Sequence, residues 1–185
     1  KRVGVVGGGN VAIDAARLAL RFGAEKVIMF YRRTQAEMPA SAEEVEAAMK
    51  EGVEINFLSA PSKATRAGET LLFECKRMKL GEPDASGRAR PIEIPGSEFI
   101  TDLDTLIVAI GQRPDVPKEM SIDTERGNIV KVAEDMQTSR RGVFAAGDCV
   151  TGPASVIGAI GGARKAASAI DRFLGGDGDI SETLT

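Results

Sequence analysis

Three stretches of this chain carry residue types and spacings suited to handling a nucleotide. The first is Gly7-Gly8-Gly9-Asn10-Val11-Ala12, which follows without a break on Arg2-Val3-Gly4-Val5-Val6. An apolar strand running into glycines and then into a helix is the dinucleotide-binding fingerprint. Gly7 permits the tight turn, Gly9 lets a pyrophosphate approach the backbone, and Ala12 takes the place where helix and strand pack closely. The unpaired N–H groups of the helix start then face the phosphates. A nucleotide-free crossover also recruits glycines at such a turn, so the surrounding elements must decide between the two.

The second stretch is Tyr31-Arg32-Arg33-Thr34, at the tip of the next apolar run, Lys26-Val27-Ile28-Met29-Phe30. A carboxylate at this position would bond the adenosine ribose 2′-hydroxyl and select NADH. Here two guanidinium groups stand instead, planar forks of donors matched to a 2′-phosphate, with the Thr34 hydroxyl as a further donor. NADPH is therefore expected over NADH, the alternative being that both arginines are solvated loop charges. Glu37 lies close enough either to hold one arginine or to face water. The third stretch is Gly147-Asp148, after the apolar run Gly142-Val143-Phe144-Ala145-Ala146. Gly147 allows a close backbone approach and Asp148 accepts from a ribose or ribityl hydroxyl, the geometry expected beside a flavin nucleotide; an ordinary turn or helix cap would also use this pair.

The elements that must position these residues follow from periodicity. Val11, Ala12, Ala15, Ala16, Leu18, Ala19 and Phe22 fall at helical spacing, and Gly23 stands where a left-handed stop is expected. With the strand from Lys26 this closes a βαβ unit. Ser41 and Glu44 form a capping box for a second helix with Val45, Ala48 and Met49 on its apolar face and Gly52 at its end, and Val53–Leu58 reads as a third strand. From Pro61 to Gly96 the period falls to two. Candidate strands lie at 71–78 and 90–94, with turn chemistry from Gly81 to Gly87, which is read as an antiparallel meander covering one face of the sheet. Thr105–Ile110 is a near-continuous apolar run, as for a strand covered on both faces, ending at Gly111-Gln112-Arg113-Pro114. Ala109, Ile110 and Gly111 are expected in the crevice at the carboxyl ends of the strands, although a strand end needs a turn glycine in any case. The expected fold class is α/β: a Rossmann-like parallel sheet with an inserted antiparallel β-meander, of the FAD/NAD(P)-binding glutathione reductase-like type.

In the last third, Ile129–Val132 and Gly142–Ala146 read as short strands, and an alanine-rich helix from about Ala154 presents Val156, Ile157, Ala159, Ile160, Ala163, Ala166, Ala167, Ile170 and Phe173. Gly175-Gly176-Asp177-Gly178-Asp179 and the polar tail beyond read as disordered.

Bulk composition excludes several classes. With 185 residues, 43% hydrophobic, a net charge of −3 and 4% aromatic, the chain has a core but neither a basic footprint nor stacking platforms for nucleic acid. No apolar stretch reaches membrane-spanning length, and a cytoplasmic location is expected. Cys75 and Cys149 are far apart and there is no histidine, so no zinc set, redox dithiol or histidine acid–base is expected. The chemistry must come from a cofactor.

Taken together, Val5–Asp14, Tyr31-Arg32-Arg33-Thr34 with Glu37-Met38-Pro39-Ala40, Ala109-Ile110-Gly111-Gln112 and Val143–Asp148 resemble the small (beta) subunit of NADPH-dependent glutamate synthase and its relatives, over the whole chain. Arg-Arg followed by Met-Pro is the narrower part of the match, restricted to the glutamate synthase and dihydropyrimidine dehydrogenase branch. The resemblance implies an electron-entry module in which NADPH reduces FAD and electrons pass through iron–sulfur clusters to a partner subunit or domain. It implies NADPH contacts at Gly7, Gly8, Gly9, Asn10, Val11, Arg32, Arg33 and Thr34, with Ala109, Ile110 and Gly111 beside them, and FAD contacts at Gly147 and Asp148. The expected division is an NADPH domain over residues 1–114 and a return segment of the FAD domain over 115–185. Starting on the NADPH strand at Lys1, the chain resembles an excised fragment that binds NADPH without retaining FAD, inactive alone, its last helix either pairing two copies or folding back on its own sheet. Two other readings stand beside this one, a flavin-free NADPH dehydrogenase and a non-catalytic docking module.

Overall fold

The computed structural model describes residues 1–83 and 87–181. The chain separates into two compact units, Lys1–Ile110 and Gly111–Thr185. In the first, β1 (Arg2–Val6), α1 (Asn10–Arg21), β2 (Lys26–Phe30), α2 (Ala42–Glu51) and β3 (Glu54–Asn56) form a doubly crossed parallel unit. The antiparallel strands β4 (Ser59–Ala67), β5 (Thr70–Pro83) and β6 (Ala89–Leu103) follow, and β7 (Thr105–Val108) returns to the parallel sheet. The parallel order is β3-β2-β1-β7 and the antiparallel order β4-β5-β6. This is the expected α/β architecture with its inserted meander.

Strand alternation sends neighbouring side chains to opposite faces. Val3, Val5, Val27 and Met29 pack with Ala12, Ile13 and Ala16 of α1 and Val45 and Ala48 of α2. Val6, Ile28 and Phe30 face the other way, onto Phe73, Cys75 and Leu103 of the meander, which thus covers one face as expected. Phe30 and Phe73 meet edge to face at 4.9 Å between centroids. Gly4 is bare because a Cβ there would run into the Leu103 side chain.

Several sequence expectations shift in register or extent. On α1 the inward residues are Ala12, Ile13 and Ala16; Val11 and Phe22, expected on the buried stripe, are 71% and 87% exposed. The helix is turned so that Ile13, the bulkiest apolar side chain of its first half, fills the space between β1 and α2. The strand β4 is composed largely of small and polar residues and is carried by its pairing with β5. The strands β5 and β6 run well beyond 71–78 and 90–94, so Gly81 lies within a strand. Within the expected 81–87 turn, residues 84–86 lie outside the described residues.

The second unit holds α3 (Asp148–Thr151) and α4 (Val156–Phe173). In place of the two expected strands it has isolated bridges, Thr124 to Val130, Val132 to Thr138 and Gln137 to Phe144. Thr138 is buried, its hydroxyl within bonding distance of the Val143 and Arg140 carbonyls. α4 begins at Val156, where the Ser155 hydroxyl accepts from Gly158 N, two residues later than expected. Of its expected apolar face Ala166 is buried, as is the neighbouring Ala169, while Ile157 is 83% exposed. The segment after it folds back on the helix: Gly178 N donates to Asp171 at 2.8 Å, and the Ser168 hydroxyl donates to Gly178 O at 2.6 Å. The disorder expected from Gly175 therefore does not hold through Ser181, because the glycines let the backbone reach the polar side of α4. Of the polar tail, residues 182–185 lie outside the described residues. No helix among the described residues is long and apolar enough to cross a membrane.

Candidate functional site

The carboxyl ends of β1, β2 and β7 gather the first unit's candidate residues. Gly7 adopts φ +147°, and a Cβ there would strike the Ala109 carbonyl oxygen at the end of β7. Ala109 N in turn donates to Val6 O at 2.8 Å, so the turn is seated directly against β7. Gly8 meets a different neighbour: a Cβ there would enter the buried Tyr31 ring, whose hydroxyl donates to Glu37 O at 2.6 Å. Gly9 has nothing within 4 Å of a Cβ position and caps α1 without any side-chain acceptor. Its open side, with the first-turn N–H groups of a twelve-residue helix, is the space an anionic ligand would fill. Val11 lies exposed in that first turn. Asn10 accepts from Ser41 N at 3.2 Å, and Ala40 N donates to Gly8 O at 3.1 Å, so the start of α2 is tied to the glycine turn. α2 forms half of the expected capping box: the Ser41 hydroxyl accepts from Glu44 N, but Ser41 N is taken by Asn10 and the Glu44 carboxylate by Arg17; Gly52 is left-handed at its end.

The strand tip separates the two arginines. Arg32 is exposed to solvent, whereas Arg33 is 3% exposed and its Nε donates to the Ala89 carbonyl at 2.7 Å. The pair of phosphate-binding forks expected from the sequence is therefore not what stands here; the chain bends at Arg32-Arg33, beyond the end of β2, and Arg33 turns inward to the first residue of β6. Thr34 is also committed, its N and hydroxyl both donating to the Glu37 carboxylate at 3.0 and 2.5 Å. That carboxyl is held below the ordinary glutamate range, first by the Thr34 hydroxyl and to a lesser degree by the Arg33 charge. Glu37 thus caps the tip as its main occupation.

Ile110 is exposed at the end of the first unit, and Gly111 opens the second with φ +92°. Within the second unit Gly147 has φ +73°, in the left-handed half of the map that favours glycine. Its carbonyl accepts from Val150 N and Thr151 N, and the side of a Cβ would face Ala159 of α4 at 3.6 Å. Asp148 is exposed, and Cys149 Sγ lies 3.2 Å from Ala146 O. Cys75 is buried, and burial pushes its thiol up to about 12, which leaves it an inert core residue. The described residues hold no acidic, thiol or imidazole cluster suited to a metal.

Sequence reasoning missed three participants. Tyr31 has a signal in retrospect: Gly8 stands outside the fingerprint positions 7, 9 and 12, and an extra glycine points to a close neighbour. The bond from Ser41 N to Asn10 and the Ala89 carbonyl have no local signal, since each joins residues more than thirty apart.

Comparisons with known proteins agree with this fold. The chain is 43% identical over 200 residues to the NADPH-Fe(3+) oxidoreductase subunit beta of Geobacter sulfurreducens, covering 94% of this chain and 30% of that protein. It is 47% identical to the NADP(+)-dependent formate dehydrogenase subunit beta of Moorella thermoacetica, covering 94% and 25%. It is 38% identical to the glutamate synthase (NADPH) small chain of Escherichia coli, covering 94% and 39%. The chain thus spans less than half the length of each of these relatives, and the glutamate synthase resemblance is met among them. In fold it is similar to the thioredoxin reductase of T. acidophilum, with a TM-score of 0.70 at 21% identity over 92% of this chain and 51% of that one. FprA from Mycobacterium tuberculosis in complex with NADPH superposes with a TM-score of 0.66 at 19% identity, covering 94% and 52%. The model of the pyridine nucleotide-disulphide oxidoreductases matches residues 1–163. With the Rossmann-like sheet, its glycine turn and its inserted meander, that match makes the chain a member of the pyridine nucleotide-disulphide oxidoreductase family, the FAD/NAD(P)-dependent oxidoreductases.

Proposed function

We propose that the first unit binds NADPH and that the chain forms the coenzyme half of a flavin-dependent oxidoreductase whose electrons leave for a partner subunit or domain, in the manner of the glutamate synthase small subunit. The observation that carries this reading is the pairing of an open, uncapped helix start at Gly9 with an exposed Arg32 in a segment, Tyr31–Thr34, that holds no acidic residue, the nearby Glu37 carboxylate being taken up by Thr34. The backbone from Gly7 to Val11 takes the pyrophosphate, Arg32 takes the 2′-phosphate, and Arg33 and Thr34 shape the tip from behind. Ala109 seats the turn against the end of β7, and Ile110 and Gly111 follow it in the chain. The residues also fit FAD: Gly147, its Cβ side turned to Ala159 of α4, brings bare backbone to the start of α3, and the exposed Asp148 carboxylate is available to a hydroxyl-rich ligand. When bound, FAD accepts a hydride from NADPH and passes electrons on. In this division residues 1–114 serve NADPH and 115–185 serve FAD. The names of the relatives, which pair NADPH or NADP(+) with an iron(III), formate or glutamate activity, support the coenzyme and leave the final acceptor to the partner.

The test is calorimetric titration of the chain with NADPH and NADH, repeated with Arg32→Ala. Losing one charge-assisted phosphate contact should cost about 1.5 to 3 kcal/mol in NADPH binding and leave NADH nearly unchanged. Equal affinity for the two coenzymes, indifferent to Arg32, overturns the reading.

A further inference from the structure

The tip of β2 is held from three directions by parts of the chain that follow it. Ser59 N donates to Tyr31 O at 2.9 Å, and Leu58 N donates to Arg33 O at 3.0 Å. Leu58 O in turn accepts from Met78 N of β5 at 2.8 Å, which brings the antiparallel meander into the same ladder. The third hold is made by a side chain: Arg33 Nε donates to Ala89 O, the first residue of β6. Arg32 is thus the one exposed residue of the Tyr31–Arg33 tip, between two buried neighbours whose carbonyls are both paired.

We propose that Arg33 is a positioning residue for coenzyme discrimination, acting through its Nε bond to the Ala89 carbonyl of the β5–β6 hairpin, which fixes the backbone from which Arg32 reaches a 2′-phosphate. The proposal rests on the NADPH reading and reassigns one of its two arginines. An arginine that is 3% exposed gives up little surface to a ligand, whereas a part-buried bond from the strand tip to the first residue of β6 removes the slack that would spread Arg32 over many directions. Discrimination by phosphate charge is then a joint property of Arg32 and of the meander, although no meander residue need touch the coenzyme.

Two neutral variants separate this from direct contact. Glutamine places its amide Nε2 the same number of bonds from the backbone as the arginine Nε, so Arg33→Gln can keep the donor to Ala89 O. Arg33→Met has similar length and no donor. Both remove the charge and the rest of the guanidinium alike. The affinities of each for NADPH and NADH, with wild type and Arg32→Ala alongside, decide the matter. Arg33→Gln should retain the NADPH preference to within about threefold, and Arg33→Met should lose about tenfold of it, mostly in NADPH. In the Arg32→Ala background Arg33→Met should change the preference no further, since the two act as one unit.

Equal loss in Arg33→Gln and Arg33→Met means that the charge or the guanidinium beyond Nε carries the effect, and overturns the proposal, as does a parallel loss of NADPH and NADH affinity. If Arg33→Met does not fold, Arg33→Gln decides alone, since loss of its preference refutes the positioning role. A wild type without NADPH preference, or one indifferent to Arg32→Ala, overturns the underlying NADPH reading instead.

Discussion

Gly8 offers the sharpest separation between what the glycine turn does for the fold and what it does for a ligand. A methyl group on Gly8 would enter the Tyr31 ring, which is buried and tied through its hydroxyl to Glu37 O at 2.6 Å. The ring has no free direction, so Gly8→Ala must displace it. Overpacking of this kind costs about 1 to 3 kcal/mol, and loss of the tyrosine hydrogen bond adds about 0.5 to 1.5 kcal/mol. The φ at Gly8 is not positive, so reduced freedom of the unfolded chain returns about 0.4 to 1 kcal/mol. The net is about 2 kcal/mol, a fall in Tm of roughly 9 °C for a unit of this size. Thermal and urea unfolding followed by circular dichroism reads this directly. In a Tyr31→Val background the obstruction is gone, and Gly8→Ala should then cost about 0.5 kcal/mol or less. Gly9→Ala, with open space at its Cβ position, should cost no more than the few tenths to 1 kcal/mol expected when alanine replaces glycine at a helix cap. An equal cost for Gly8→Ala with and without the Tyr31 ring refutes the reasoning, because the cost would then lie in the backbone.

Two further outcomes follow from the titratable groups. Arg17 of α1 bonds Glu51 of α2 at 2.7 Å and also Glu44, and its hydrogen bond is the main reason the Glu51 carboxyl lies below the ordinary range. A carboxyl lowered in the folded state stabilises fully above its unfolded value, about 4.3, and loses that contribution as pH falls through the lower folded value. Arg17→Met should therefore flatten the fall in stability below about pH 4.3, and it should weaken the salt dependence of stability near neutrality, both read from urea midpoints; an unchanged acid limb refutes the assignment. Cys75, buried with its thiol near 12, should resist a thiol reagent at pH about 8 until the chain unfolds, leaving Cys149 as the one site open in the native state. Rapid modification of both cysteines in the folded protein refutes it.

The legible part of the fold is the part whose pattern is local. From β1 to α2 each element announces itself by period, cap or stop: the apolar strand before Gly7, the left-handed Gly23 and Gly52, the Ser41 hydroxyl on Glu44 N. The face of α1 was harder to assign, because alanines at positions 12, 15, 16 and 19 leave the apolar arc wide and the larger Ile13 decides which part turns inward. The meander is legible in kind and illegible in extent. Strand β4, Ser59–Ala67, has little apolar period of its own; it exists because β5 offers a ladder to pair with, and pairing energy leaves no trace in a strand's own sequence. In the second unit the expected strands reduce to single bridges, with the Thr138 hydroxyl serving loop carbonyls where a ladder would otherwise do so.

The site divides by the same rule. The glycine turn, the arginine pair and the Gly147-Asp148 step could be singled out because each is a short string with its own chemistry. Which arginine faces outward could not, since that depends on two facts held elsewhere: the bend that follows β2, which leaves Arg32 outside between the buried Tyr31 and Arg33, and a carbonyl fifty-six residues later that accepts from the buried guanidinium. A buried cation is tolerated only where such acceptors meet it. The side-chain pattern at Tyr31-Arg32-Arg33 is therefore permitted by the hairpin, and any change that withdraws Ala89 O should act on Arg33 first and on Arg32 only through the backbone between them.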